Sequence, residues 1–370
     1  MIDVAPVRDR RTREAFLRLP WRLYRDRPAW VAPLLAERRR FLDRQRNPFF
    51  RHSEAELFLA RRGGAVVGRI AAVHNRRHLD AWGDGAGFFG FFECEDDAAA
   101  AGALLDAAAR WVRERGLTRL RGPMSFTIND ESGLLLDAFD RPPVLLMPYN
   151  PPYYRALLEG WGLSKVQDLL AYRLEVPAIL PQRLARAEEL VAAAPGLVIR
   201  PVDLAHFREE VDRIHRVHSA AWAENWGAVP LAAEEIAELA RELLPIVVPE
   251  LALLAEQDGE PVGVSITLPD FHEVLAHLEG RLLPTGWLRA LWWKRRITGV
   301  RVLILGVVRE HRRRGIEAAM VARTVRAAMA RGYRSGELSW ILESNGPMRR
   351  LLERLGARVD KTYRVYEKAI

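Results

Sequence analysis

Three consecutive arginines, Arg312, Arg313 and Arg314, run into Gly315 between two apolar stretches of different period. Arg301 to Val308 is β-branched and reads as a buried strand, while Ile316 to Met329 is Ala-rich and reads as a helix. The turn from Val307 to Ala318 therefore leads into a helix N-terminus, where backbone N–H groups lack intrahelical partners and the dipole favours negative charge. With cationic donors alongside and a glycine that lets backbone approach a ligand, such a turn suits a phosphate or pyrophosphate. The backbone of Gly306, Val307 and Val308, just upstream, offers N–H donors for a carbonyl oxygen if the strand bulges or splays. Glu317 sits in the first helical turn, where a carboxylate either opposes an anion or points outward.

A second group of polar and aromatic residues lies in the first half of the chain. Ser125 to Gly133 leads, by way of Met147-Pro-Tyr149-Asn150-Pro-Pro, to Tyr153 and Tyr154. Loops punctuated in this way form either a recognition pocket or simply turns closed by Asx hydrogen bonds. Read as a pocket, they offer Asn129, Asn150, Tyr149 and Tyr153 as contacts for a polar ligand. Glu131 is then the first choice as general base, with Asp130 and Glu93 behind it. Trp222, Asn225 and Trp226 join two helical runs and make either an apolar wall with one polar handle or a buried pair. His215 and His218, three apart beside Asp212, are a poor zinc site and read as surface or core histidines, so no metal is expected. Between Asp270 and Gly299, an insertion carries Trp287, Trp292 and Trp293 next to Lys294, Arg295 and Arg296. That composition fits a lid over an acyl chain, an interfacial segment against anionic lipid, or a core-capping helix with a solvated basic end.

These residues need elements to position them, and the sequence lays out similar elements twice. Glu56 to Arg61 and Val66 to Val73 read as a hairpin, Gly87 to Glu93 as an aromatic strand, and Ala98 to Arg115 as a helix started by Asp96 and Asp97. The first segment, Thr12 to Arg46, is broken into short helices by Pro20, Pro28 and Pro33. In the second half, Glu250-Leu-Ala-Leu253 followed by Val262-Gly263 repeats Glu56-Leu-Phe-Leu59 followed by Val67-Gly68. Leu351-Leu-Glu-Arg-Leu-Gly356 followed by Tyr363 repeats Leu157-Leu-Glu-Gly-Trp-Gly162 followed by Tyr172. Two landmarks in the same order indicate a duplication, with domains expected at 1–180 and 195–370 and the insertion at 270–299. The copies differ where the chemistry would be. Opposite the arginine turn, the first copy carries Glu93, Glu95, Asp96 and Asp97, which would repel a pyrophosphate.

Bulk properties limit the alternatives. The chain has 370 residues, 49% of them hydrophobic, enough for two domains with real cores. Its net charge of +8 comes almost wholly from arginine, and no zinc-finger spacing or RNA-binding signature accompanies it, so nucleic acid is not an expected partner. A single cysteine, Cys94, excludes an intrachain disulfide and fits a reducing, cytoplasmic setting. No apolar run is long enough to span a bilayer, so any membrane contact, for instance at the inner face of the cell membrane, would be made from the surface.

Arg312-x-x-Gly315-x-Glu317 resembles the pyrophosphate loop of the GNAT acyl-CoA N-acyltransferases, with Glu317 where that pattern has a small residue. The order of elements in each half is similar to a GNAT fold, which implies an α/β (α+β) protein of two tandem GNAT-like domains, each a mixed, mostly antiparallel sheet flanked by helices. Across nearly the whole chain, Phe88 to Glu93, Gly122-Pro-Met-Ser, Asn129-Asp-Glu131, Met147 to Tyr154, Asn225-Trp-Gly, Gly286-Trp-Leu, Gly315-Ile-Glu and Glu337 to Asn345 resemble the bacterial ceramide synthase-like family. The resemblance implies an enzyme that moves a fatty acyl group from acyl-CoA to the amine of a long-chain sphingoid base. It implies that Val307 to Ala318, with Ile316 and Ala318 in the first turn, and Asn345 hold the acyl-CoA. The usual tyrosine acid of GNAT enzymes is replaced by Leu352, leaving Tyr363 or Tyr366, or water, to protonate the thiolate. Two other readings are an acetyl- or aminoacyltransferase on a small or peptidyl amine and a non-catalytic acyl-CoA sensor.

Overall fold

A computed structural model describes the chain from Met1 to Ile370. The residues form two compact units, one comprising 1–170, 275–291 and 361–370, the other 171–274 and 292–360.

The first unit contains β1 (Ile2–Pro6), α1 (Arg10–Leu23), α2 (Leu35–Phe41), β2 (Glu54–Arg62), β3 (Ala65–His74), α3 (Arg76–Trp82), β4 (Ala86–Cys94), α4 (Ala98–Arg113), β5 (Arg119–Gly122), β6 (Leu134–Leu135) and α5 (Tyr154–Gly160). After β7 (Ser164–Glu175), the chain continues through α6 (Gln182–Ala192), β8 (Leu197–Pro201), α7 (Phe207–Trp222), α8 (Ala233–Leu243), β9 (Ala252–Gln257) and β10 (Glu260–Pro269). The remainder is α9 (His272–Leu275), α10 (Gly286–Lys294), β11 (Gly299–Val307), α11 (Ile316–Ala330), β12 (Ser335–Leu342), α12 (Gly346–Arg354) and β13 (Arg358–Ala369).

Both units are mixed sheets with helices packed on them. In the first, the order is β1-β2-β3-β4-β5, closed by β13, the last strand of the chain, which pairs antiparallel with β5 and with β6. In the second, β8-β9-β10-β11-β12 follows the same plan. The hairpin β2–β3 corresponds to β9–β10, β4 to β11, and α4 to α11.

The apolar alternation of β2 and β3 and the alanine face of α4 build the first core, where Ala60, Ile70, Leu104, Leu105 and Ala108 have no exposed surface. Asp97 starts α4 by accepting hydrogen bonds from the amides of Ala99 and Ala100. In the second unit, α11 lays Ile316, Ala319 and Met320 against Val307, Val262 and Leu253.

The feature that makes a site is a splay. Parallel pairing of β11 with β12 covers only Gly299–Val302 against Ser335–Leu338, although both strands run on beyond it. Ile266 faces Ile304 while Thr267 faces Val302, so Leu303 is an extra residue, a bulge that bends β11 as it leaves its neighbour. The first unit does the same. There, β4 pairs with β5 only over Ala86–Phe88, and β4 carries a bulge near Phe91, whose φ is 49°.

Candidate active site

The two splays are alike in backbone and opposite in contents. In the first unit the gap is filled by the chain itself. Met124 donates its amide to the Phe89 carbonyl at 2.7 Å, and Gly90 lies so close to this segment that a Cβ there would stand 2.1 Å from the Met124 carbonyl oxygen. Behind it, the buried Phe126 ring stacks between Phe41 and Phe49. All nine residues of β4 are buried as a result. In the second unit, Val302 to Gly306 of β11 all keep partial exposure although they lie in an interior strand. A central strand that meets solvent has an open slot beside it.

Backbone direction decides which donors line this slot. The Val308 amide is already donated to the Val262 carbonyl of β10 at 2.9 Å, so it is not free for a ligand. Alternation along the strand gives Gly306 the same direction as Val308 and turns the amides of Leu305 and Val307 to the opposite edge, into the splay. Of the three residues named from sequence, Val307 alone keeps its donor for an oxyanion. Leu305, overlooked there, joins it. Gly306 has a different use, because a Cβ on it would lie 2.4 Å from the Trp222 ring. Trp222 is thus a wall packed flat on the strand, and the His218 ring stacks on it at 4.7 Å. Burial, reinforced by the neighbouring His215, pulls the His218 imidazole down to about 4, so it is neutral at physiological pH. His215 is fixed by the Leu231 carbonyl at 3.0 Å. Asn225 and Trp226 lie half-buried just beyond α7, and the Asn225 amide closes a turn on the Trp222 carbonyl.

At the end of β11 stands the arginine turn. The amides of residues 313 to 318 have no acceptor within the protein, and no side chain caps α11. Gly315 is the N-cap residue with φ 82°, and a Cβ there would meet nothing within 4 Å. Glu317 pairs with none of the arginines and does not block the turn. Arg312 is exposed, and two of its donors are already used within the protein: its Nε donates to the Val307 carbonyl at 3.0 Å and its Nη2 to the Ala221 carbonyl at 2.9 Å, so it also ties strand to helix. Arg314 leans on His311 at 3.0 Å, and Arg313, with φ 64°, is exposed. Asn345 is also used internally, accepting the Met348 amide at 3.2 Å as the N-cap of α12. At the corresponding helix of the first unit, the Asp97 carboxylate occupies the place an anion would take, and Arg62 pairs with it.

Most candidates from the first half are held by the fold. Asn150 clamps β6, accepting from the Leu135 amide at 2.7 Å and donating to the Leu135 carbonyl at 3.2 Å. Tyr149 donates to the Phe139 carbonyl at 3.0 Å and Tyr153 to the Cys94 carbonyl at 2.8 Å. Asp130 accepts from the amide and hydroxyl of Thr127. Glu93 is buried under the hydroxyls of Tyr24 and Tyr154; burial pushes its carboxyl up despite the nearby Arg69 guanidinium. Each of these five side chains already has a partner within the protein, and Asn150 and Glu93 are buried as well. Glu131 is half-buried and paired with Arg38, and Asn129 is the one fully exposed candidate among them.

Leu352 is fully buried on α12. Neither tyrosine expected to replace an acid there belongs to that unit. Tyr363 and Tyr366 lie on β13 in the first unit, Tyr363 opposite Leu135, and the Tyr366 hydroxyl donates to Glu159 at 3.0 Å and is pushed up to about 12, mainly by burial. Tyr172, read from sequence only as a landmark of the repeat, brings a hydroxyl to α12 between Arg349 and Glu353. Trp287 is exposed on α10.

Comparison with known proteins fits this geometry. No protein-family model matches the chain. It is 37% identical to a protein of Caulobacter vibrioides (strain NA1000 / CB15N) named bacterial ceramide synthase, over all of this chain and 98% of that one. It is 35% identical to protein YghO of Escherichia coli (strain K12), over 96% of this chain and 93% of that one. Among solved structures, a tandem GNAT protein from the clavulanic acid biosynthesis pathway matches all of this chain and 98% of its own, with a TM-score of 0.58 at 13% identity. A GCN5-related glucosamine N-acetyltransferase region of a fungal multi-domain β-N-acetylglucosaminidase matches all of this chain and 38% of its own, with a TM-score of 0.61 at 14% identity. With two GNAT units and relatives matched over their full length, the chain belongs to the bacterial ceramide synthase-like family of acyl-CoA-dependent N-acyltransferases.

Proposed function

We propose that the chain moves a fatty acyl group from acyl-CoA to the amine of a long-chain sphingoid base, with the second unit holding the thioester. The observation that carries this reading is the open splay beside the uncapped N-terminus of α11, set against the plugged splay and Asp97-capped helix of the first unit. The free amides of residues 313 to 318 would take the pyrophosphate, with Arg313 and Arg314 beside it, and the slot along β11 would take the acyl-pantetheine arm. The amides of Leu305 and Val307 are aimed where a carbonyl oxygen gains charge as the amine nitrogen attacks. The C–S bond then breaks, the nitrogen loses a proton and the sulfur leaves. A thiolate is a much better leaving group than an amine anion, so the C–S bond breaks without an obligatory acid and a chain with Leu352 in place of one is chemically competent. A neutral His218 beside Trp222 leaves the slot wall without a cation to repel an ammonium substrate.

For the acceptor, Glu131 is the carboxylate we assign to proton removal and Asn129 the amide we assign to recognition. The choice of a lipid amine rests on the name of the Caulobacter relative and on the full-length likeness to it. The test is thioester consumption across acyl lengths, with lipid mass spectrometry of a host that also makes a sphingoid base. An amide-linked product from long-chain acyl-CoA is expected, and Glu131→Gln should lower turnover by about two powers of ten while leaving CoA binding unchanged. Preference for acetyl-CoA would overturn the lipid assignment, and tight CoA binding with no turnover on any amine would mark a sensor.

A further inference from the structure

The exposed apolar side chains are concentrated in one place. Of the fourteen large hydrophobic residues that face solvent, Leu282, Leu283, Trp287, Leu288, Leu291 and Trp292 fall within eleven positions around α10. Leu283 is 78% exposed and Leu291 59%, and α10 buries none of its residues. Helical spacing puts Trp287, Leu288, Leu291 and Trp292 on one stripe, with Arg289 and Lys294 along its two borders. Between Arg281 and Thr298 there are five basic residues and no acidic one. Arg281, Arg289, Arg295 and Arg296 are all exposed; Arg296 lies over the Trp292 ring at 3.2 Å, which keeps the apolar and cationic groups on one surface. The stem of the segment is fastened: Gly280 accepts the Leu35 amide at 3.0 Å, and a Cβ on it would lie 2.7 Å from the Trp21 ring. At the other end, Lys294 donates to the Pro245 carbonyl at 2.7 Å.

We propose that α10 and the Leu282-Leu283 turn before it form a docking surface for an anionic lipid bilayer, with the stripe lying at headgroup depth. A bilayer supplies what this surface lacks. Hydrocarbon meets Leu283, Leu288 and Leu291, the headgroup boundary suits Trp287 and Trp292, and lipid phosphates pair with four arginines whose long stems reach sideways from an apolar stripe. A second copy of the chain is the poorer occupant, since a two-fold contact would bring the same five cations together. No helix is long and apolar enough to cross a membrane, so the contact is made from one side. The inference deepens the lipid reading above and gives a lipid-handling enzyme access to the phase in which such acceptors reside.

The test uses the full chain and no acyl-CoA or amine, so it is independent of whether acyl transfer occurs. The protein is sedimented with vesicles of phosphatidylcholine alone and of phosphatidylcholine and phosphatidylglycerol in equal parts. Binding to the mixed vesicles only is expected, weakening with added salt. Arg289→Gln and Arg295→Gln should each lower partitioning by about fivefold. Leu288→Ser with Leu291→Ser should lower it by more than about tenfold with an unchanged melting temperature, because both side chains are exposed. A wild-type chain that stays in the supernatant with the mixed vesicles overturns the proposal. So does a Leu288→Ser, Leu291→Ser chain that binds like wild type, or one whose oligomeric state, in place of vesicle binding, is what changes.

Discussion

Gly315 is where the two units can be made alike. Asp97 holds its carboxylate on the amides of Ala99 and Ala100 at the start of α4, whereas α11 begins at a bare glycine with φ 82° and open space where a Cβ would go. Gly315→Asp would put a negative charge into the phosphate turn. Gly315→Asn has the same size and tolerates the left-handed backbone as well, so it shares every steric effect and lacks the charge. A carboxylate about 6 Å from one phosphate charge, at an effective dielectric of about 20, costs about 2.8 kcal/mol, which is about a hundredfold in Kd. Calorimetric titration with CoA should therefore show the asparagine variant binding about a hundred times more tightly than the aspartate variant. The ratio should fall towards unity in molar salt, where the screening length is about 3 Å. Backbone strain affects free and bound protein equally and cancels from the ratio. Equal affinities for the two variants, within threefold, would refute the assignment of this turn to the pyrophosphate.

Three other outcomes follow from named contacts. Arg312→Lys should behave like Arg312→Ala, each weakening CoA binding by about tenfold, because only a guanidinium fork reaches both the Val307 and Ala221 carbonyls; a lysine variant with wild-type affinity would show that charge alone matters. Gly306→Ala should destabilise the chain by about 1 to 3 kcal/mol in denaturant unfolding by forcing its Cβ into Trp222, and Trp222→Leu should restore part of that loss, an epistasis absent if the two residues do not touch. Asp168 is held below its ordinary value because Arg364, at 2.7 Å, and Lys165 outweigh the upward effect of burial. A depressed carboxyl stabilises the fold above its unfolded pKa and stops doing so as pH falls through the folded one. Asp168→Asn should thus cost about 2 kcal/mol at neutral pH, with the deficit shrinking below about pH 4.

The sequence was most legible where structure is local. The arginine turn, the strand before it and the helix after it lie within a residue or two of their expected bounds, because a β-branched run and an Ala-rich 3.6-residue period report on neighbours a few positions away. The repeated hairpins were legible for the same reason, as β2–β3 and β9–β10. What stayed hidden depends on distant partners. The plug of Met124 to Phe126 against Gly90 and Phe91 reads in sequence as one more loop, and only the fold shows that it fills a splay. That Val308 spends its amide on Val262, that Arg312 bonds the Val307 and Ala221 carbonyls, and that Asn345 caps its own helix are choices of partner that residue type does not fix. The edge strands β1 and β8, five residues each, are too short to show alternation. The pairing of β13 with β5 in the first unit joins residues far apart in the chain, and periodicity carries no record of it.

Duplication gave this chain two frames that each generate a bulge, a splay and a helix pointing into it, and a handful of residues then set their different fates. In the first frame the Asp97 carboxylate takes the Ala99 and Ala100 amides at the helix start, and a three-residue plug closes on the strand through the Met124 amide and the Phe89 carbonyl. Such a unit gains burial: its central strand is closed along its whole length, and Gly90 is the position at which any side chain would reopen it. In the second frame the same groups are left without partners at residues 313 to 318 and along the slot face of Leu305 and Val307, a cost in stability that a protein retains where a ligand repays it. Unsatisfied backbone in one copy and satisfied backbone at the matching positions of the other is therefore a stronger indication of ligand binding than either copy would give alone, since the closed copy shows that this fold can seal the gap when nothing has to enter it.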